Sequence, residues 1–139
     1  VFETEDAIRD GADEIDMVIN QGLAKAGDWE GVLTEIKAVK ESCKGRILKV
    51  IIEACNFTRE EKIALCRVVS MSGAEFIKTS TGFAAGGATV EDVQLFREHI
   101  SPDMRIKAAG GIRTFEQAQA MLEAGADRIG ASALVALAQ

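Results

Sequence analysis

The 139-residue chain carries 22 acidic against 16 basic side chains, a net charge of −6, and 47% of its residues are apolar. That is enough apolar material for one domain with a core. The acidic balance without a basic stripe argues against sequence-independent nucleic-acid binding, and no run approaches the ~20 apolar residues of a membrane span.

Short β-branched runs alternate with helical patterns along the chain, which predicts βα units and a parallel sheet. Residues 4–9 read as the end of a helix whose preceding strand is missing. The chain opens on Val1 without a signal-peptide pattern and is expected to be processed, truncated or cut from something longer. Strands are predicted near 13–19, 47–53, 75–80, 104–108 and 127–131. Helices are predicted near 28–43, 58–72, 89–99 and 114–124, with a last one from Ser132. Thr58…Glu61, Thr89…Asp92 and Thr114…Gln117 resemble capping boxes, in which side chains satisfy the free N–H groups of a helix's first turn. Apolar stripes follow at helical spacing, as in Phe115, Ala118 and Leu122.

Three cysteines, Cys43, Cys55 and Cys66, match no zinc spacing. Cys43 continues the stripe Val32, Ile36, Val39, and Cys66 lies on a predicted helix, so both are expected in the core. Reduced thiols fit a cytoplasmic protein. His99, the single histidine, falls beside the Val93–Phe96–Ile100 stripe and reads as a surface residue. With no second histidine, neither a histidine relay nor a metal cluster is supported.

A weak repeat runs through Gly11-Ala12-Asp13-Glu14-Ile15-Asp16, Gly73-Ala74-Glu75-Phe76-Ile77-Lys78 and Gly125-Ala126-Asp127-Arg128-Ile129-Gly130. In each copy glycine closes a helix in the left-handed conformation, and a strand starts within about two residues. The sixth position of each copy is Asp16, Lys78 or Gly130, so equivalent places on three strands carry candidate functional residues.

Lysines interrupt three of the apolar runs: Lys49 in 47–52, Lys78 in 76–79 and Lys107 in 105–109, while Asp16 interrupts 14–19. A lone buried ammonium is costly and tends to lose its proton. Strand side chains alternate, so Asp16 shares a face with Val18, Lys49 with Ile51 and Glu53, and Lys107 with Arg105 and Ala109. The opposite, apolar faces suit a layer of helices, leaving the charged faces to converge on one interior. Several lysines beside a carboxylate point to an amine held for imine chemistry. The competing reading is a structural ion network in which the lysines pair with Asp16 and Glu53. Lys49 suits either role, whereas Lys78 and Lys107 stand directly before glycine-containing loops.

Those loops are 79–87, 110–113 and 130–133. Glycine-loop N–H groups and a helix N-terminus form an anion cradle, and (β/α) barrels commonly hold phosphate after their last two strands.

The stretches 11–20, 48–53, 76–83, 107–114 and 130–132 resemble deoxyribose-phosphate aldolase, a class I aldolase family, over essentially the whole chain. The resemblance implies reversible cleavage of 2-deoxy-D-ribose 5-phosphate to D-glyceraldehyde 3-phosphate and acetaldehyde, with no metal or organic cofactor. It implies that Lys78 forms the Schiff base, that Lys107 and Asp16 assist proton transfer, and that Gly82, Gly110, Gly111, Gly130 and Ser132 surround the phosphate with Thr81 beside them. Lys49 and Glu53 are supporting residues. Some members carry lysine where Phe83 stands, so that contact is lost here.

The family folds as an eight-stranded barrel, ~250 residues for this architecture. The expectation is therefore α/β: a partial, half-type TIM (β/α)8 barrel in one domain spanning 1–139, with five parallel βα units and the N-terminal three units missing. Its two open edges predict a homodimer with reduced activity. The alternatives are a non-catalytic phosphate-binding remnant, an open flavodoxin-like sheet that would splay the lysines apart, and another phosphate-handling barrel enzyme.

Overall fold

The computed structural model describes residues 14–81 and 86–130. Five parallel strands lie in chain order: β1 (Glu14–Val18), β2 (Ile47–Ile51), β3 (Phe76–Lys78), β4 (Arg105–Ala109) and β5 (Arg128–Gly130). Between them run α1 (Gln21–Lys25), α2 (Trp29–Ser42), α3 (Arg59–Met71), α4 (Val90–His99) and α5 (Phe115–Ala124), with a 3-10 turn at Ala54–Asn56. Short α1 and the 3-10 turn carry too little periodicity to stand out in the sequence. The helix end expected in residues 4–9 and the helix expected from Ser132 lie outside the described residues.

Sequential strand order decides between the two architectures the sequence left open. A doubly wound sheet reverses its order at a switch point and places helices on both faces. Here no reversal occurs. Crossovers between parallel strands are right-handed in nearly all proteins, so an unreversed order stacks successive helices on one face. The open flavodoxin-like alternative is overturned.

The apolar strand faces meet the helices as the alternation predicted. Ile15, Leu48, Val50, Ile52, Ile77, Ile106 and Ala108 pack in one continuous core with Val32, Ile36, Val39 and Cys43 of the α2 stripe, Leu65, Cys66 and Val69 of α3, and Val93 and Phe96 of α4. Burial pushes the Cys66 thiol up to about 12, so it packs as an apolar group. His99 is half-buried beside this core.

Helix starts follow the sequence with one correction. Thr58 and Thr114 form complete capping boxes with Glu61 and Gln117. Thr89 accepts the Asp92 N–H, but the Asp92 carboxylate takes Lys62 at 2.7 Å instead of reaching back to the cap. The expected stripe on α5 also needs revision. Ala118 and Met121 are buried, whereas Phe115 and Leu122 are exposed.

The repeat does more than end helices. Gly73 and Gly125 have φ of 87° and 124°, and each strand begins three residues later rather than two. The acid at the third position explains the extra step. The Glu75 N–H donates to the Leu48 carbonyl at 3.1 Å, and the Leu48 N–H donates back to Glu75 Oε1 at 2.8 Å. Asp127 makes the same ring with Ile106, at 2.8 and 2.9 Å. Each acid thereby pins the register of its own strand against the preceding one. Lys40 Nζ holds the Glu75 carboxylate at 2.7 Å.

Charged hydrogen bonds of this kind contribute about 2 kcal/mol. Glu75→Ala is expected to destabilise the protein by about that amount. Glu75→Gln, which keeps an acceptor for Leu48, should lose roughly half as much, as measured by urea denaturation.

Candidate active site

The register stacks the interior-facing residues in rows. Asp16 lies opposite Lys49, Lys49 opposite Phe76, and Phe76 opposite Arg105. One step further along the strands, Val18, Ile51, Lys78, Lys107 and Arg128 form a second row. Ala109 and Gly130 begin a third. Lys78 and Lys107 are thus direct neighbours on adjacent strands, which lie about 4.8 Å apart in any sheet.

Lys49 is only 6% exposed, so its charge requires partners. It has two: Glu14 Oε1 at 3.2 Å and Asp16 Oδ1 at 3.4 Å. The other Asp16 oxygen faces Lys78 Nζ at 3.9 Å. On its far side Glu14 accepts both contacts from the Arg128 guanidinium, at 2.9 and 3.0 Å. Arg128 and Lys49 hold the Glu14 carboxyl below the usual carboxylate range. The outcome is a chain of alternating charge, Arg128–Glu14–Lys49–Asp16–Lys78. Asp16, expected to be buried, is 43% exposed at its side chain, because β1 is an edge of the described sheet.

Burial, and then the charges of Lys49 and Lys78, push the Lys107 ammonium below the ordinary lysine range; Asp16 opposes this and Arg128 adds to it. Its stem lies across Gly130, where a Cβ would sit 2.9 Å from Lys107 Cε. A side chain at Gly130 would displace the end of this lysine and crowd the Ala109 Cβ at 3.2 Å.

Glu53 departs from its expected place. β2 ends at Ile51, and Glu53 adopts a left-handed φ of 51°, an unfavourable conformation for a residue with a Cβ. Its buried carboxylate takes the Thr81 N–H at 2.8 Å and the Thr81 hydroxyl at 2.9 Å. The ion network expected with Glu53 is formed by Glu14 instead, and Glu53 anchors the loop after β3.

That loop is held from three more sides. The Thr79 hydroxyl donates to the Ala109 carbonyl and accepts the Ala109 N–H, both at 3.0 Å. The Ala88 N–H donates to the Gly110 carbonyl at 3.0 Å. A Cβ on Gly87 would strike that same carbonyl, and one on Gly86 would meet Cys55 at 2.6 Å. Gly110 and Gly111 have consecutive positive φ of 88° and 73°, a turn that few other residues adopt. The candidate phosphate residues Thr81, Gly110, Gly111 and Gly130 are thus gathered at the ends of β3, β4 and β5. Gly82 and Ser132 lie outside the described residues.

Glu14, Arg128, Phe76 and Ser80 escaped the sequence reading. Alternation gave a signal for two of them: Glu14 stands two residues before Asp16, and Arg128 two before Gly130. Phe76 is fully buried on the interior side beneath two guanidiniums, Arg105 at 4.5 Å and Arg128 at 4.6 Å from the ring centre. Ser80 carries a buried hydroxyl with no hydrogen-bond partner among the described residues.

Residues 1–139 match the family described as DeoC/LacD family aldolase. The chain belongs to that family. It is 55% identical over 141 residues to a deoxyribose-phosphate aldolase from Thermococcus gammatolerans, covering all of this chain and 63% of that protein. It is 54% identical over 136 residues to one from Streptococcus equi subsp. zooepidemicus, covering 98% and 62%. The solved tetrameric deoxyribose phosphate aldolase from Aeropyrum pernix superposes with a TM-score of 0.87 at 32% identity, over 96% of this chain and 57% of that one. The chain thus spans about three-fifths of the length of the curated relatives it matches.

A depressed lysine is a free amine at lower pH than usual, and free amines react. Amine-selective labelling of the Lys107 peptide, followed by mass spectrometry across a pH series, should have its midpoint below the ordinary lysine range. Lys49→Leu removes a repelling charge and should move that midpoint upward.

Proposed function

We propose that the protein is a class I aldolase that reversibly cleaves 2-deoxy-D-ribose 5-phosphate through a Schiff base on Lys78. The observation that carries this reading is the in-register pair Lys78–Lys107, with Asp16 at 3.9 Å from Lys78. An amine attacks a carbonyl only as the free base.

In this reading Lys78 Nζ adds to the aldehyde carbon of the open-chain sugar phosphate, and loss of water gives an iminium. The hydroxyl two carbons away loses its proton, the bond between the second and third carbons breaks, and its electrons pass to the iminium nitrogen. D-Glyceraldehyde 3-phosphate leaves. The remaining enamine takes a proton at carbon, and hydrolysis frees acetaldehyde and Lys78. Asp16 and Lys107 are the groups placed to hold and move those protons. The imine is the electron sink, so the chemistry needs no metal or organic cofactor.

Thr81, Gly82, Gly110, Gly111, Gly130 and Ser132 receive the phosphate in this proposal. Its charge is favoured by an interior in which Lys49, Lys78, Lys107, Arg105 and Arg128 face Glu14 and Asp16. Lys49 holds Asp16, and Glu53 holds Thr81. Neither contact touches the reacting carbon, so both are supporting roles. We assign the chain to the cytoplasm, which its free thiols fit.

Acetaldehyde followed by borohydride reduction should add mass to the peptide carrying Lys78. The label should vanish in Lys78→Ala, and its persistence there would overturn the assignment.

The five strands are read as part of one (β/α)8 barrel domain, and the 139-residue chain as a homodimer of reduced activity. Val18, apolar yet 42% exposed at the β1 edge, supports this. An open strand edge and uncovered apolar surface both favour association. Light scattering of the 139-residue chain at several concentrations should give twice the chain mass. A monomer persisting at the highest concentration overturns the dimer and leaves the chemistry standing.

A further inference from the structure

We infer that Arg128 is a positioning residue for the site: by clasping Glu14 across the interior, it keeps Lys49 available to hold Asp16 between the two lysines. The inference rests on the proposed role of Lys78 and adds a residue that touches neither reacting carbon nor phosphate.

The geometry carries it. Arg128 comes from β5 and Glu14 from β1, at opposite ends of the sheet order, yet the guanidinium reaches both Glu14 oxygens at 2.9 and 3.0 Å. By register Arg128 belongs to the row of Lys78 and Lys107. Its side chain instead lies over the Phe76 ring at 4.6 Å, opposite a strand residue of the neighbouring row. Cation–aromatic contact and the carboxylate together fix its charge there.

Competition for Lys49 follows from this arrangement. The buried ammonium is shared between Glu14 at 3.2 Å and Asp16 at 3.4 Å. With Arg128 present, Glu14 is already satisfied and Lys49 retains its hold on Asp16. Without Arg128, the full Glu14 charge falls on Lys49 and draws it away from Asp16, and the interior loses one positive charge. The charges that act on Lys107 are Lys49 on β2, Lys78 on β3, Asp16 on β1 and Arg128 on β5, with Glu14 reaching it through Lys49 and Arg128. Removing a cation from this set favours the protonated lysine, and removing an anion disfavours it.

Two substitutions therefore act in opposite directions. Arg128→Gln should raise the pH midpoint for amine labelling of Lys107, and Glu14→Gln, which leaves the Arg128 charge unneutralised, should lower it. The lysine-dependent limb of kcat/KM for 2-deoxyribose 5-phosphate cleavage should move with the labelling in each variant. Arg128→Lys keeps the charge and should leave the limb where the wild type has it. A purely structural role would reduce activity without moving the limb, or would move both variants the same way, and either result overturns the inference. Should Arg128→Gln fail to fold, Glu14→Gln and Arg128→Lys still decide, since a downward shift in the first and none in the second is required. Labelling needs no turnover, so the inference is separable from the reading beneath it. A wild type that traps no imine on Lys78 defeats the proposed function, whereas unshifted labelling midpoints defeat the role of Arg128.

Discussion

Strand register is the constraint on which the site depends. Shifting a strand by one residue turns every side chain to the opposite face. A one-residue slip of β3 against β2 would bury Lys78 among the helices and bring Ile77 into the interior. Glu75 and Asp127 resist such slips by closing a ring with the strand before them, using backbone in one direction and carboxylate in the other. The same short repeat that ends each helix thus sets the level at which the next functional position stands. Sequence, register and chemistry are linked through the acid in each of the two described copies of the repeat, the copy at 11–16 beginning outside the described residues.

Placing two lysines side by side is unfavourable, and the surroundings show how the cost is managed. Like charges near a protein surface at 4 Å repel by about 4 kcal/mol, so the pair is tolerated only with compensation. Asp16 faces Lys78, and Glu14 with Asp16 neutralises buried Lys49. Burial and the residual positive charge fall on Lys107, whose ammonium is held below the ordinary lysine range. Cations left in moderate excess also suit a phosphate-bearing substrate. In the function proposed above, one electrostatic arrangement serves both the amine and the anion, and a change that made the interior neutral would weaken both.

Much of this was legible in the amino-acid sequence because strand alternation and helical spacing are local signals. Ile15, Leu48, Val50 and Ile106 read as one face and Asp16, Lys49 and Lys107 as the other, and the core follows that division. Where reading failed, the deciding contact was non-local or the backbone left its regular path. Glu53 falls within the strand predicted over 47–53, but its left-handed φ turns it toward Thr81, 28 residues on. Arg128 and Glu14 are 114 residues apart, and only closing curvature of the sheet makes them partners. Phe115 and Leu122 have the right spacing for a buried stripe on α5, yet burial depends on what lies opposite a helix face, which spacing does not encode.

The loop after β3 illustrates why glycine content alone is weak evidence for an anion site, and what strengthens it. Gly86 and Gly87 are small because Cys55 and the Gly110 carbonyl approach them closely, so their first role is packing. That packing joins the ends of β2, β3 and β4 into one rim. Thr79 ties itself to Ala109, Thr81 to Glu53 and Ala88 to Gly110, so the rim is braced before any ligand arrives. Ser80 sits within it, fully buried and with its hydroxyl unused among the described residues. A rigid, glycine-backed rim beside an electropositive row is a physical argument for anion recognition that stands apart from family membership.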